Sequence, residues 1–512
     1  MYSLGIDSGT QGTKALIIEM DSGQVIGRGY EHHQMVAGLK PGESEQSPET
    51  WIKAMEVAIT KALNSAKIKP SEIVCLGVSG QQHGFVPLNK NFCPIRPAKL
   101  WNDTSTVEET EEIINALGGK KSFIEKLGIS LAVGYTASKI LWLKKHELRN
   151  YEKLKLILLP HNYLNLYLTG QPQMEYGDAS GTGLMDIRTR NWQEDVLKAI
   201  DPTLKEKLPP LSHPQEAVGY VKKEIAEKFG FKKVLVSSGG GDNMMAAIGT
   251  GNVSEGRCTL SLGTSGTIFS YSSSPVIDPE GEIAAFCDST GGWLPLLCTM
   301  NVTNTTELFK GLFDLDNEDL ENLIKASQPG ADGLIFLPFI DGERVPVLPQ
   351  ASAVFFGLNR HNFNQSNIAR AIIEGTILNL NYGFSRMKSL GLKPKEIRAT
   401  GGGARSQAWL QVVANIFQLP VVTLEEPESA AYGAALQAIW TYKKEKGENI
   451  SWNDLVNKLI RKSPMAAFPD PNLANFYREL QNQFDSLWRR LSLEFPKHRQ
   501  FIDSHFFKVT SE

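Results

Sequence analysis

Cysteine is scarce. Five residues, Cys75, Cys93, Cys258, Cys287 and Cys298, are scattered through 512 positions, odd in number and with no C-x-x-C pair. That excludes a disulfide framework and a clustered zinc site, and it suits a reduced, cytosolic setting. An excess of positive charge is also missing, since 53 basic residues stand against 56 acidic ones for a formal net charge of −3. Without a basic footprint, nucleic acid and anionic membrane are poor partners, and a small-molecule ligand is the expectation. No apolar run reaches the 18 residues of a membrane span. The first apolar run is broken at Asp7 with no basic stretch before it, so neither insertion nor secretion is expected.

Several catalytic signatures are missing too. Gly119-Lys120 is followed by Lys121 and lacks the upstream glycine of G-x-x-x-x-G-K-[ST], which excludes a P-loop enzyme. There is no H-E-x-x-H and no G-x-S-x-G. The triplet Gly239-Gly240-Gly241 fails G-x-G-x-x-G at Met244, which weakens any dinucleotide reading.

What is present is organised around residues 234–249, V-L-V-S-S-G-G-G-D-N-M-M-A-A-I-G. Residues 234–236 read as a short buried strand, 239–241 as an open turn, and Asp242 as the first polar residue of an Ala- and Met-rich helix. The glycines remove Cβ atoms where a ligand can approach the backbone, and Asp242 beside Asn243 offers an acceptor next to a donor-acceptor. Such a pair can hold and deprotonate a hydroxyl. The competing reading is that Asp242 merely caps its helix.

A repeat flanks this centre. Residues 2–19 read as two apolar runs around Gly9-Thr10-Gln11-Gly12-Thr13, a β-hairpin with a glycine-rich tip. Residues 258–270 repeat the pattern with Gly263-Thr264-Ser265-Gly266-Thr267, an offset of 263 − 9 = 254 positions, close to half the chain. Two homologous halves are the economical explanation. A tip rich in Gly and Thr presents backbone N–H groups and hydroxyls to an anion, although ordinary tight turns use the same residues. The first tip also carries Asp7, placed to hold Mg²⁺ through water, and Lys14.

In chain order, residues 45–66 have helical spacing and 73–78 read as a strand ending in Ser79-Gly80-Gln81-Gln82-His83-Gly84, whose planar polar groups suit a polyhydroxylated ligand. Residues 107–151 are helical and charge-rich with breaks at Gly118-Gly119 and Gly128, an insertion beside the core sheet. Residues 178–183, D-A-S-G-T-G, read as a polar loop. Residues 367–390 read as a long amphipathic helix, 397–400 as a strand running into Gly401-Gly402-Gly403, and 405–417 as the helix after that turn, a geometry that admits a nucleotide. Residues 429–438 form a small-residue helix built for close approach, 472–493 an amphipathic tail helix, and the last residues surface.

Taken in order, G-I-D-S-G-T-Q-G-T-K, G-Q-Q-H-G, W-N-D, G-G-G-D-N, S-L-G-T-S-G-T, G-E-R-V-P and G-G-G-A-R resemble the FGGY carbohydrate kinases, and within them the branch that phosphorylates D-xylulose. The resemblance implies an α/β fold of two ribonuclease-H-like (actin-like ATPase) domains with a central cleft. It implies an N-terminal sugar-binding domain over 1–247, with a helical insertion near 104–155, and a C-terminal nucleotide-binding domain over 248–512 with a helical tail. The implied reaction is phosphorylation of the terminal C5 hydroxyl of a ketopentose by ATP with Mg²⁺. D-xylulose is the first expectation, ribulose or glycerol are alternatives, and a homodimer is compatible with the resemblance. Asp242 then matches the catalytic base and Asp7 the acidic residue near metal and phosphates. Gln82 and His83 match the sugar contacts beside Asp242 and Asn243. Thr10, Gly12, Thr13 and Lys14 fall on the first phosphate loop, Gly263, Thr264 and Ser265 on the second, and Gly402 and Gly403 on the adenosine-side turn.

Asp242, at a helix N-terminus, is expected to be stabilised as an anion and therefore a weak base. One departure stands out. The branch commonly carries G-Q-M-H-G, and Gln82 replaces the Met, which is expected to change which ketose fits. Asn304, where relatives usually show small residues, is a second. A non-catalytic ATP-binding sugar sensor of the actin-like superfamily would keep the Gly-Thr loops yet need neither Asp242 nor the Gln82-His83 turn.

Overall fold

The computed structural model describes residues 1–506, and the sequence expectation for the last residues lies, over 507–512, outside them. Two compact units form. The first comprises Met1–Glu255, Tyr271–Pro295 and Glu428–Arg461, and the second Gly256–Ser270, Leu296–Pro427 and the chain from Lys462.

The first unit is built on a sheet of β1 (Tyr2–Ser8), β2 (Gly12–Glu19), β3 (Val25–His32), β4 (Ile73–Gly80), β5 (Ala217–Tyr220) and β6 (Leu235–Ser237), ordered β5-β6-β4-β1-β2-β3. β1 to β3 form an antiparallel meander, β1, β4 and β6 run parallel, and β5 closes antiparallel to β6. β1 and β4 are almost continuously buried because helices cover both faces of the sheet, which is why they read as unbroken apolar runs. The helix Pro48–Ala66 lies against β3, where a Cβ on Gly29 would sit 1.9 Å from the Ala58 carbonyl oxygen. The helix Ser429–Glu445 lies against β1 and β4, where a Cβ on Gly5 would sit 2.0 Å from the Ala431 oxygen and one on Gly77 2.1 Å from the Ala434 oxygen. The small residues expected for close approach in that helix serve this contact.

The second unit repeats the plan. β7 (Arg257–Leu262), β8 (Gly266–Ser270), β9 (Trp293–Thr299), β10 (Glu396–Thr400), β11 (Val421–Leu424) and β12 (Lys462–Ala467) are ordered β9-β8-β7-β10-β11-β12. Again the first three strands form an antiparallel meander, the parallel set is β7, β10 and β11, and the last strand closes antiparallel. Strand for strand, order and direction match the first sheet. The difference lies in connection, since β5 precedes its partner in sequence and β12 follows. The duplication read from the two Gly-Thr strings is therefore present in the topology.

The helical insertion is formed by Val107–Ala116, Lys120–Leu127, Thr136–His146 and Leu148–Tyr151, broken at Gly118, Gly119 and Gly128 as their spacing predicts. Elsewhere the boundaries shift. The spacing over 45–66 resolves into a short strand Glu45–Gln46 and a helix that starts at Pro48, a residue whose fixed φ suits a first helical position. The long helix is Gln365–Ser389, started by the Asn364 side chain accepting from Asn367 N–H at 2.9 Å. The tail helix is Ala474–Leu491 and buries Tyr477, Leu480, Phe484 and Trp488 along one face. Among the described residues no helix is long and apolar enough to cross a membrane.

Candidate active site

Three neighbouring strands bring the central carboxylates together. β1 and β4 pair in parallel with Asp7 opposite Ser79, and a short strand Gly240–Gly241 pairs on the far side of β4 with Gly240 opposite Ser79. Asp7, Ser79 and Asp242 thus emerge at the carboxyl ends of adjacent strands, where ligands of parallel sheets are held. Ser79 Oγ donates to Asp7 Oδ1 at 2.8 Å, and Oδ2 has no hydrogen-bond partner among the described residues.

The turn at 239–241 is not open. A Cβ on Gly239 would lie 2.2 Å from the Val78 oxygen, one on Gly240 2.7 Å from Ser289 Oγ, and one on Gly241 2.7 Å from Gln82 Cγ. These glycines admit the protein's own atoms rather than a ligand. Nor does Asp242 cap its helix. Gly241 occupies the cap position, and Asp242 is the first residue of the helix Asp242–Gly249. Its Oδ1 accepts from Asn243 N–H at 2.8 Å and from Asn243 Nδ2 at 3.0 Å, leaving Oδ2 without a protein partner among the described residues. The carboxylate is oriented by one oxygen and presents the other.

The expectation of a helix-stabilised weak base is corrected here. Burial pushes the Asp242 carboxyl up to about 7, and the carboxylates of Asp7 and Asp178 push the same way against the Asn243 N–H. An eight-residue helix does not offset desolvation plus two like charges. Burial also raises Asp7, with Lys14 and the Ser79 hydroxyl acting against it. Both side chains keep part of their surface open to solvent while protein encloses the rest.

The Gln81-Gln82-His83 turn divides its labour. Gln81 ties the first hairpin to the sheet, accepting from Thr10 Oγ1 at 3.1 Å and donating to Gln46 Oε1 at 3.0 Å. Gln82 is buried, and Oε1 accepts from Asn243 Nδ2 at 2.8 Å while Nε2 lies 3.3 Å from Met244 Sδ. Its amide therefore reaches Asp242 through Asn243. His83 stands in the left-handed region at φ 61, with its ring stacked on Tyr135 at 4.4 Å and within 5.7 Å of Phe286.

At the first tip, Ser8 stands opposite Thr13, and Gly9 N–H donates to the Gly12 oxygen. Thr13 is fully buried, its hydroxyl 2.7 Å from His33 Nε2 and 3.3 Å from Ser8 Oγ, so the hydroxyl is turned inward. Gly12 faces the Tyr30 ring at a spacing that leaves no room for a Cβ. Thr10 is half-buried, its Oγ1 accepting from Trp101 Nε1 at 2.9 Å and donating to Gln81, and Gln11 is the exposed residue of the tip. Lys14, opposite Asp7 in the hairpin, pairs with Glu428.

In the second unit, the Gly263 and Thr264 carbonyls accept from Thr303 and Val302 N–H at 2.9 and 3.1 Å, which turns them away from the tip, and Thr264 is exposed. Ser261 occupies the place that Asp7 has in the first unit, so the duplicated hairpins are chemically unequal. Asn304 Nδ2 donates to Asn301 Oδ1 beside that support. Gly402 is open, with no atom within 4 Å of a Cβ, whereas Gly403 is closed against Leu262. Between that turn and the helix Gln407–Phe417, Ser406 accepts from Trp409 N–H at 3.1 Å as the cap.

Sequence reasoning missed a buried cluster behind Asp242. His161 Nδ1 lies 3.0 Å from Asp178 Oδ2, and Glu175 accepts from Gly177 and Asp178 N–H. Burial and the Asp178 charge push Glu175 up to about 8. Residues 178–183 read only as a polar loop because their partners are distant in sequence. Lys139 and Thr136, which meet the His83 carbonyl, also carried no signal.

Two sheets of one repeated order, each led by a Gly-Thr hairpin, with carboxylates at the strand ends of the first, define the actin-like ATPase fold in its phosphotransferase form. Residues 2–249 match the N-terminal domain of the FGGY family of carbohydrate kinases, residues 258–442 match its C-terminal domain, and the chain belongs to that family. It is 44% identical over 447 residues to the xylulose kinase of Haemophilus influenzae, covering 86% of this chain and 90% of that protein. The solved structure of ligand-bound xylulose kinase from Lactobacillus acidophilus superposes with a TM-score of 0.90 at 25% identity, covering 97% of this chain and 99% of that one. A gluconate kinase of the same organism gives 0.89 at 25% identity, covering 97% and 99%. The backbone is thus shared by kinases named for different sugars.

Proposed function

We propose that this chain transfers the γ-phosphoryl group of ATP to the C5 hydroxyl of D-xylulose, giving D-xylulose 5-phosphate. Identity to the Haemophilus influenzae xylulose kinase, well above that to the gluconate kinase, supports the choice of sugar. The observation that carries the chemistry is Asp242, with one carboxylate oxygen fixed by Asn243 and the other unengaged. Oδ2 takes the hydroxyl proton as the sugar oxygen bonds to the γ-phosphorus and the bond to the β-bridging oxygen breaks, releasing ADP. A base with a pKa near the working pH is matched to that task and contributes about 10²–10⁴-fold. Phosphoryl transfer has a loose transition state, so orientation and charge neutralisation contribute most of the remainder.

Gln82 steadies Asn243, and His83 meets a sugar hydroxyl. Thr10, Gly12, Thr13 and Lys14 in the first loop, and Gly263, Thr264 and Ser265 in the second, hold the phosphates, the buried members through their backbone. Gly402 and Gly403 border the adenosine. In this reading residues 1–247 carry the sugar contacts together with the first phosphate loop, and 248–512 carry the second phosphate loop and the adenosine contacts.

The donor set fits Mg²⁺. Asp7 Oδ2 is unengaged, desolvation leaves the carboxyl in want of a cation, and among the described residues no group of three or more His, Cys, Asp or Glu forms an all-protein cage. Such a site suits an ion that keeps its waters and phosphate ligands. When bound, Mg²⁺ neutralises charge on the triphosphate. ADP release measured with D-xylulose, D-ribulose, glycerol and gluconate, each with and without Mg²⁺, tests the assignment. D-xylulose with Mg²⁺ should give the highest kcat/KM, and ADP release stimulated by none of the four would reject a sugar kinase in favour of a non-catalytic sensor.

A further inference from the structure

The His83 turn needs an external grip. A histidine at φ 61 is in a sparsely populated region that costs about 1–3 kcal/mol unless its surroundings hold it there. Gly84 supplies no side chain to help, because a Cβ there would lie 2.5 Å from Pro160 Cγ. The grip comes from the start of the insertion helix Thr136–His146. Lys139 Nζ donates to the His83 carbonyl oxygen at 2.8 Å and Thr136 Oγ1 donates to the same oxygen at 3.2 Å, while the ring of Tyr135 stacks on the imidazole. Backbone and ring are thus held by residues within five positions of one helix end.

Lys139 is an expensive residue to place there. Its side chain is completely buried, and burial pushes its ammonium down to about 7. It forms no direct ion pair among the described residues. The carboxylate that favours its charge, Asp103, is already engaged by Lys99 Nζ at 3.1 Å, by Ser105 and by Ser44 N–H. An apolar chain of the same length would fill the space without that desolvation cost. Within the described structure, what Lys139 does that methionine cannot is donate to His83.

We infer that Lys139, assisted by Thr136, is a positioning residue for sugar binding, holding the His83 carbonyl so that the imidazole stays fixed toward the substrate. The inference rests on the reading that His83 meets the sugar. It gives the helical insertion a task in recognition.

The test compares His83→Ala, Lys139→Met, Lys139→Gln and Thr136→Val in steady-state kinetics with D-xylulose and MgATP, alongside thermal melts. His83→Ala should raise the sugar KM. Lys139→Met should raise it about tenfold, from the lost charge-assisted hydrogen bond, while the ATP KM changes by less than about twofold. Lys139→Gln, which keeps a donor, should return part of the loss. Thr136→Val should raise the sugar KM by a smaller factor, and it carries the test if Lys139→Met melts without a cooperative transition. If His83→Ala raises the sugar KM but neither Lys139→Met nor Thr136→Val does, the positioning role is overturned. If His83→Ala leaves the sugar KM unmoved, the reading of the turn as a sugar contact fails first. Equal rises in both KM values for Lys139→Met without recovery in Lys139→Gln would mark a general structural loss and also overturn the inference.

Discussion

Asp242 shows how little of a residue's chemistry its neighbours in sequence reveal. The string G-G-G-D-N places a carboxylate at a helix start, and the N-terminus by itself would lower its pKa. Asp7 comes from a strand 235 positions earlier (242 − 7) and Asp178 from the short helix Tyr176–Ala179, and with burial they reverse the shift. A stability prediction follows with a defined sign. Because the folded pKa, about 7, lies above the ordinary aspartate value of 3.8, ionised Asp242 destabilises the ligand-free fold, fully so above about pH 7. Asp242→Asn should therefore stabilise the ligand-free protein at pH 8 by an amount on the order of 1 kcal/mol or more, read as a higher melting temperature, and the gain should shrink as pH falls from 7 toward 4. A gain that grew on acidification would contradict the shift. Gln82 makes a second case. The sequence suggests that an amide in place of methionine selects among ketoses, but both ends of that amide are engaged by Asn243 and Met244. Gln82→Met should lower kcat for every ketose by a similar factor, about five- to tenfold for one lost hydrogen bond near the base. A reordering of ketoses with kcat preserved would show instead that the amide meets the sugar.

At the scale of elements, the hairpin tips and the Gly breaks of the insertion were legible because turn chemistry is local. The role of Gly239, Gly240 and Gly241 was not, since the atoms that fill their missing Cβ positions come from Val78, Ser289 and Gln82. The same holds for the helix Ser429–Glu445. Its small residues announce a close neighbour without naming it, and that neighbour is the first strand, with Ser3 Oγ donating to the Ala435 oxygen across 432 positions. Gly5→Ala should lower the melting temperature, since its Cβ would meet the Ala431 oxygen at 2.0 Å and overpacking costs about 1–3 kcal/mol. Gly402→Ala is the counterpart. Its backbone is helical at φ −62 and its Cβ position is open, so stability should be unchanged while the ATP KM rises if adenosine lies against that turn. An unchanged ATP KM would remove Gly402 from the nucleotide contacts.

At the scale of the molecule, the 254-position offset between Gly-Thr strings was enough to expect two related halves. The structure supplies what the offset could not, six strands in matching order and direction with only the last connection rearranged. Duplication explains the shared scaffold, and its asymmetry explains the chemistry. Asp7 has Ser261 as its counterpart, and in the first unit Asp7 and Asp242 follow from neighbouring strands of one sheet. The account therefore stands on one carboxylate acting as base within the first unit. The most direct test is turnover of D-xylulose and MgATP by Asp242→Asn, with binding of each ligand followed by calorimetry. Turnover should fall by about 10²–10⁴-fold with both ligands still bound, and near-normal turnover would contradict the assignment.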